Sequence, residues 1–371
     1  MAEIEVSPES DRIEGLPHPR ETRALFGHGA AERTLAAALQ HGRMHHAWLI
    51  AGPRGIGKAT LAYRFAKAAL ASRADYAADG QSLAVPEEAS ASRQVRALSH
   101  PGLLVLRRPY DEKAKRFATS IPVDEVRRLR AFLGHRAAGE DRRVVIVDDA
   151  NELNVNAANA LLKSLEEPPE RTVFLLLASA PGRLLPTIRS RCRMLSLQPL
   201  QEKDLRAAVT QALEAAGEGV PGDAEWAALE RLAEGSAGRL LELWRSGGSE
   251  LNERIETLLA ALPKVDWRAV HALSDELQPI AAQARFELFY ELLLNHLGRL
   301  VRAQATGQGA PADVALAARI IGSGRLASFA ALWERVGREL GEALALNLDR
   351  KSLILQTVAS LAAAAQDRKP A

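Results

Sequence analysis

His46-Ala47-Trp48-Leu49-Ile50-Ala51-Gly52-Pro53-Arg54-Gly55-Ile56-Gly57-Lys58-Ala59-Thr60-Leu61 is the most informative stretch of the chain. Trp48 to Ala51 reads as a buried strand, G-P-R-G-I-G-K as a loop, and Ala59 to Leu70 as a helix. A phosphate-binding loop needs that order. Its glycines turn the backbone so that successive N–H groups face one anion, and the helix N-terminus adds its positive end. Gly52, Gly55 and Gly57 supply the turns, and Lys58 supplies a cation for the β- and γ-phosphates. One part is missing. Where magnesium needs a Ser or Thr hydroxyl the chain has Ala59, whose methyl group cannot ligate a hard cation. Thr60 carries a hydroxyl one position later, about 100° further round the helix.

Around this stretch, apolar runs and helical periods alternate. A helical pattern over Ala30 to His41 precedes it. Leu103 to Leu106, Val144 to Val147, Val173 to Leu177 and Met194 to Leu197 read as further strands. Helices are predicted from the Ile121–Asp124 opening and over Asn156 to Leu165. Strands apolar on both faces, alternating with helices, predict an α/β fold with a covered parallel sheet. After Pro199 only helical patterns remain. The expected organisation is a flexible lead-in over 1–22, an α/β domain over 23–199, a small helical domain over 200–248 and a larger one over 249–371. Ala71 to Ser99 is polar without a clear period and is expected as a surface insertion or disordered loop.

Composition sets outer limits. The 371 residues are 47% hydrophobic and 25% charged, ordinary for a globular chain of two or three domains. A formal charge of +2 is too small to argue for nucleic-acid binding by itself. No apolar stretch of about 18 residues predicts a membrane span, and residues 1–20 lack the apolar core of a secretory signal. A cytoplasmic location is the default expectation. Cys192 is the only cysteine, which excludes an internal disulfide and a multi-cysteine zinc site.

Two further constellations carry chemistry. Asp148 and Asp149 end the Val144–Val147 run, where an ATPase places the acid that holds the magnesium shell. The water-polarising residue next to it is usually Glu, and Asp149 is one methylene shorter, a displacement that matters when a water must sit in line. Ending a strand in solvent is the plain alternative. The other is Asn159-Ala160-Leu161-Leu162-Lys163-Ser164-Leu165-Glu166-Glu167-Pro168-Pro169 followed by Ser190-Arg191-Cys192. The leucines read as core, and Arg191 as a residue at the domain edge.

L-L-K-S-L-E-E-P-P, S-R-C and the upstream H-H-A-W-L-I-A-G-P, in that family's order, resemble the clamp-loader subunits of bacterial DNA polymerase III. The first two motifs are shared with the gamma/tau branch, while the degraded loop and Asp148-Asp149-Ala150 look more like the delta-prime branch. The resemblance covers about residues 17–240. It implies an AAA+ P-loop domain, a helical lid and a C-terminal collar domain within a pentameric ring of gamma/tau and delta subunits. It implies ATP-dependent loading of the sliding clamp onto primer–template DNA, without a polymerase site and with no membrane partner. By likeness Arg191 is an arginine finger acting in trans on an adjacent gamma/tau site, and the chain's own ATPase is weak or absent. No cofactor is then required. Static ATP or ADP binding at Gly52, Gly55, Gly57 and Lys58 stays compatible with the loop, with the Mg²⁺ site impaired and no zinc bound.

Some features depart from the pattern. Relatives with a four-cysteine zinc module carry it in the region of Ala71 to Ser99, where this chain has none. The lid pattern G-S-x-R appears as Gly235-Ser236-Ala237-Gly238-Arg239, one residue longer, so Arg239 is either a phosphate sensor or a surface arginine. Ser179 is either the sensor position or a plain strand-end serine. The alternative function is an active AAA+ motor, gamma/tau-like, with Thr60 replacing the missing hydroxyl. A small-molecule P-loop kinase is disfavoured by the two helical domains and the lack of an evident acceptor pocket.

Overall fold

The computed structural model describes residues 8–42, 44–76, 80–113, 115–134, 142–346 and 348–366. It contains two compact units, Met1–Leu241 and Glu242–Ala371. The first is built on five parallel strands: β1 (Ala47–Ala51), β2 (Leu103–Leu106), β5 (Arg143–Val147), β6 (Thr172–Ala178) and β7 (Arg193–Ser196), in the order β2-β5-β6-β1-β7. Two short strands, β3 (Tyr110–Asp111) and β4 (Arg116–Phe117), form a separate antiparallel pair that the sequence pattern does not signal. Helices α1 (Gly29–Gln40), α2 (Lys58–Leu70), α3 (Ser90–Arg96), α4 (Val123–Gly134), α5 (Val155–Glu166) and α6 (Pro186–Arg189) alternate with the strands. Helices α7 (Glu202–Ala215), α8 (Asp223–Ala233) and α9 (Ala237–Arg245) follow.

Every residue of β1 is buried, because the strand presents side chains to two cores. Trp48 and Ile50 pack with Leu35, Leu61 and Phe65 of α1 and α2 on one face. Ala47 and Leu49 pack with Leu129, Leu161 and Phe174 on the other. The period-two alternation of a strand distributes a continuous apolar run in this way. Leu161 and Leu165 are core, as their helical spacing implies. Among the described residues no helix is long and apolar enough to cross a membrane.

Two expectations for loose segments fail. The described part of the lead-in, residues 8–22, packs into the first unit, with Glu9, Leu16, His18 and Arg20 all buried. Its polar composition misleads because the charges are paired inside the fold. Arg20 Nη1 lies 2.8 Å from Glu9 Oε2, and Arg107, just after β2, reaches Glu9 Oε1 at 2.6 Å and Asp11 Oδ1 at 2.8 Å. His18 Nε2 approaches Asp11 Oδ2 at 2.9 Å. Residues 71–76 and 80–99, expected as an insertion or disordered loop, contain α3 and bury Tyr76, Leu83 and Val95. Arg20 Nε donates to Arg96 O at 2.7 Å, tying the two segments together.

The second unit is helical: α10 (Gly248–Ala261), α11 (Trp267–Leu277), α12 (Gln283–Thr306), α13 (Pro311–Ile320), α14 (Leu326–Leu346) and α15 (Arg350–Gln366). The long α12 supplies Phe286, Phe289, Tyr290, Leu293, Leu297 and Leu300 to its core. Polar groups in that core pair with each other: the Tyr290 and Thr357 hydroxyls lie 3.1 Å apart, and His296 Nε2 lies 2.7 Å from Asn252 Oδ1.

Candidate functional site

All the strands of the sheet run the same way, so the residues that follow β1, β5 and β6 gather along one edge. Gly52 to Gly57 follows β1, Asp148 and Asp149 follow β5, and Ser179 follows β6. The fold therefore brings together the loop, the two carboxylates and the candidate sensor serine.

The loop has the backbone its glycines require. Gly52 has φ +153°, and a Cβ there would sit 2.7 Å from Leu197 O. Gly55 has φ +77°, and a Cβ would sit 2.4 Å from Ser236 Oγ and 3.0 Å from Gly238 Cα. That second close approach shows what covers the loop: the N-terminal end of α9. Gly238 N donates to Gly55 O at 2.9 Å, and Ser236 Oγ donates to Arg54 O at 2.7 Å. Buried His28 braces the loop as well, placing Nε2 2.6 Å from Ile56 O. Burial lowers the His28 pKa, against the pull of the Ile56 carbonyl and Asp204. The sequence pattern quotes Ser236 only as part of the lid motif and does not mark His28, and it assigns neither a bond to the loop.

Lys58 does not project into an open cradle. Its ammonium turns back onto the loop, donating to Gly52 O at 2.8 Å and Pro53 O at 2.7 Å. Burial lowers its pKa, opposed by the charges of Asp149 and Asp148. Ala59 and Thr60 are half-buried in the first turn of α2. Burial pushes the Asp148 carboxyl up to about 8, with Asp11 and Asp149 adding to the rise and Lys58 opposing it.

Asp149 is already engaged. Its Oδ1 accepts from Asn151 N at 2.9 Å, and its Oδ2 accepts from Ser179 Oγ at 2.7 Å and Ser179 N at 3.1 Å. Asn151 completes the junction by donating to Ala180 O at 2.8 Å. Ser179 is thus more than a strand-end serine: it ties β6 to the turn after β5. Arg239 starts its helix beside the loop, but its Nε donates to Leu232 O at 2.9 Å, back toward α8. The donor set can face an anion with backbone N–H groups. Ala59 offers magnesium no hydroxyl at the start of α2, and both carboxylate oxygens of Asp149 are already hydrogen-bonded.

Arg191 is elsewhere. It lies between α6 and β7, and β7 pairs parallel with β1 through Trp48↔Arg193 to Ala51↔Ser196. A residue preceding β7 is at the N-terminal end of the strands, whereas the loop follows their C-terminal ends. The intervening strand spans about 16 Å at 3.3 Å per residue, more than an arginine side chain reaches. Buried Ile188 and half-buried Cys192 hold the turn against the core, leaving Arg191 partly exposed. Its Nη1 donates to Thr187 O at 2.9 Å, and its Nη2 pairs with Glu166 Oε1 at 2.6 Å. Of the residues marked by sequence, Gly52, Gly55, Gly57, Lys58, Asp148, Asp149 and Ser179 share one edge, with Arg239 over it, and Arg191 is at the opposite one.

Comparison with known proteins gives a consistent set of relatives. A family described as DNA polymerase III, delta subunit, matches residues 27–201. The DNA polymerase III subunit delta' of Escherichia coli is 33% identical over 294 residues, 79% of this chain and 82% of that protein. The subunit of the same name from Pseudomonas aeruginosa is 46% identical over 147 residues, 40% of this chain and 41% of that one. Among solved structures, a DNA polymerase III gamma subunit-related protein from Thermotoga maritima aligns over 90% of this chain and 99% of its own. Its identity is 20% and its TM-score 0.42.

Proposed function

The chain belongs to the family of DNA polymerase III delta' subunits, and on that basis we propose that it is a non-motor subunit of the clamp loader in DNA replication. In this reading it assembles with gamma/tau and delta subunits into a pentameric ring that places the sliding clamp on primed DNA, in the cytoplasm. Its own loop is a degenerate nucleotide site, at most holding ATP or ADP statically. Arg191 is an arginine finger completing an ATP site on an adjacent gamma/tau subunit.

The position of Arg191, at the end of the sheet opposite the chain's own phosphate loop, carries this reading. A guanidinium so placed cannot reach its own loop, which supports a role toward another chain. The competing account, an active motor, is opposed by Lys58 bonded to its own loop and Asp149 bonded to Ser179.

The test is reconstitution with gamma/tau and delta. The isolated chain is expected to hydrolyse no ATP above background, and Arg191→Ala to assemble normally while lowering the ATPase of the complex. An arginine finger contributes about 10³–10⁵ in rate at the site it serves, so loss of that site's turnover is readily measured. Unchanged ATPase in an intact Arg191→Ala complex removes the finger assignment.

A further inference from the structure

Glu166 ends α5, and Glu167 follows it. Two carboxylates at a helix C-terminus oppose the helix dipole, whose negative end lies there. Glu166 has a compensating partner: Arg191, with Nη2 2.6 Å from Glu166 Oε1. The same guanidinium contacts its own turn through Nη1, at 2.9 Å from Thr187 O and 3.4 Å from Ser190 Oγ. Arg191 is therefore held on one side by its own turn and on the other by a carboxylate from a different helix.

The two sides differ in how they can be released. The turn is fixed by its backbone, Arg191 N donating to Ile188 O at 3.1 Å and Cys192 N to Arg189 O at 3.3 Å, and it need not move. The pair with Glu166 joins two exposed side chains, 34% and 47% accessible, where an ion pair is weak and its partner exchangeable. A phosphate offers the guanidinium the same planar, charge-assisted recognition as a carboxylate, with more charge. Glu166 and an incoming phosphate thus compete for the same donors.

We infer that Glu166 is a positioning residue that holds Arg191 in a resting state, acting as the counter-ion that a neighbouring subunit's phosphate displaces. This rests on the assignment of Arg191 as a trans-acting finger. The exchange is a change of ion-pair partner and requires no covalent step. An exposed pair biases the resting state modestly, so its removal is expected to shift the response to ATP by about two- to fivefold.

The experiment is an ATP titration of the complex reconstituted with gamma/tau and delta, carrying Glu166→Gln, Arg191→Ala or both. Glu166→Gln keeps the size of the side chain and removes its charge. The expected result is a KM lowered about two- to fivefold with kcat unchanged, a gain that damage to α5 would not produce. In the Arg191→Ala background Glu166→Gln is expected to change nothing. If Arg191→Ala lowers the ATPase but Glu166→Gln leaves KM unchanged or raises it, the resting-state role is overturned and the finger assignment stands. A gain that persists without Arg191 also overturns it. If Arg191→Ala itself has no effect, the finger assignment fails first.

Discussion

Replacing Asp11 with Asn tests whether the N-terminal segment is part of the fold. The Asp11 side chain is only 6% exposed and lies between His18 and Arg107. Burial alone would raise its pKa, but His18 and the Arg107 guanidinium outweigh that and hold it at about 2, below the ordinary 3.8. Each tenfold change in proton affinity corresponds to about 1.4 kcal/mol, so ionised Asp11 contributes about 2–3 kcal/mol to folding at neutral pH. The folded value is the depressed one, so this contribution is complete above about pH 4 and is lost as pH falls through about 2. Asn keeps the shape and an acceptor oxygen but not the charge. Urea-dependent hydrogen exchange of α2 and α3 peptides reports on this unit separately from the helical one. Asp11→Asn is expected to cost about 2–3 kcal/mol at pH 7 and about half that at pH 3. Arg107→Ala, which leaves Glu9 and Asp11 buried with one cation fewer, is expected to cost about 3–5 kcal/mol. An Asn variant within about 0.5 kcal/mol of the parent at pH 7 would contradict this account and return residues 8–22 to the status of a tail.

Gly55→Ala places a methyl group 2.4 Å from Ser236 Oγ at a left-handed backbone position. It is expected to cost at least about 1–2 kcal/mol and to speed amide exchange in the first turn of α9; unchanged protection there would mean the contact is not closed in solution. Ala59→Thr restores the missing hydroxyl but leaves Asp149 bonded to Ser179 and Asn151. Phosphate release by the isolated variant should therefore stay at background, and turnover of about 1 s⁻¹ or more would show that the hydroxyl alone was lacking.

The glycine spacing at Gly52, Gly55 and Gly57 and the apolar runs at Val144 and Val173 identify a phosphate-loop α/β domain without reference to tertiary structure. Local chemistry explains this. Only glycine suits those backbone angles, and a strand buried on both faces has no polar alternation to obscure it. Glu9, Asp11, His18 and Arg20 read as a solvated tail because composition records charge but not its partner. Arg107, which neutralises two of them, is 96 residues beyond Asp11. The loop contacts of Ser236 and His28 escape notice for the same reason, since they are hydrogen bonds to carbonyls distant in sequence.

The layered sheet, the helical regions and the glycine loop with Ala59 in place of a hydroxyl are all legible in the linear chain. Folding in three dimensions adds that Lys58 bonds its own loop, that Asp149 is held by Ser179, and that Arg191 is opposite the loop beside Glu166. Periodicity along a chain dictates which face of a strand or helix is buried. Which charges meet depends on strand order and direction, and these are set when the sheet closes with β7 beside β1.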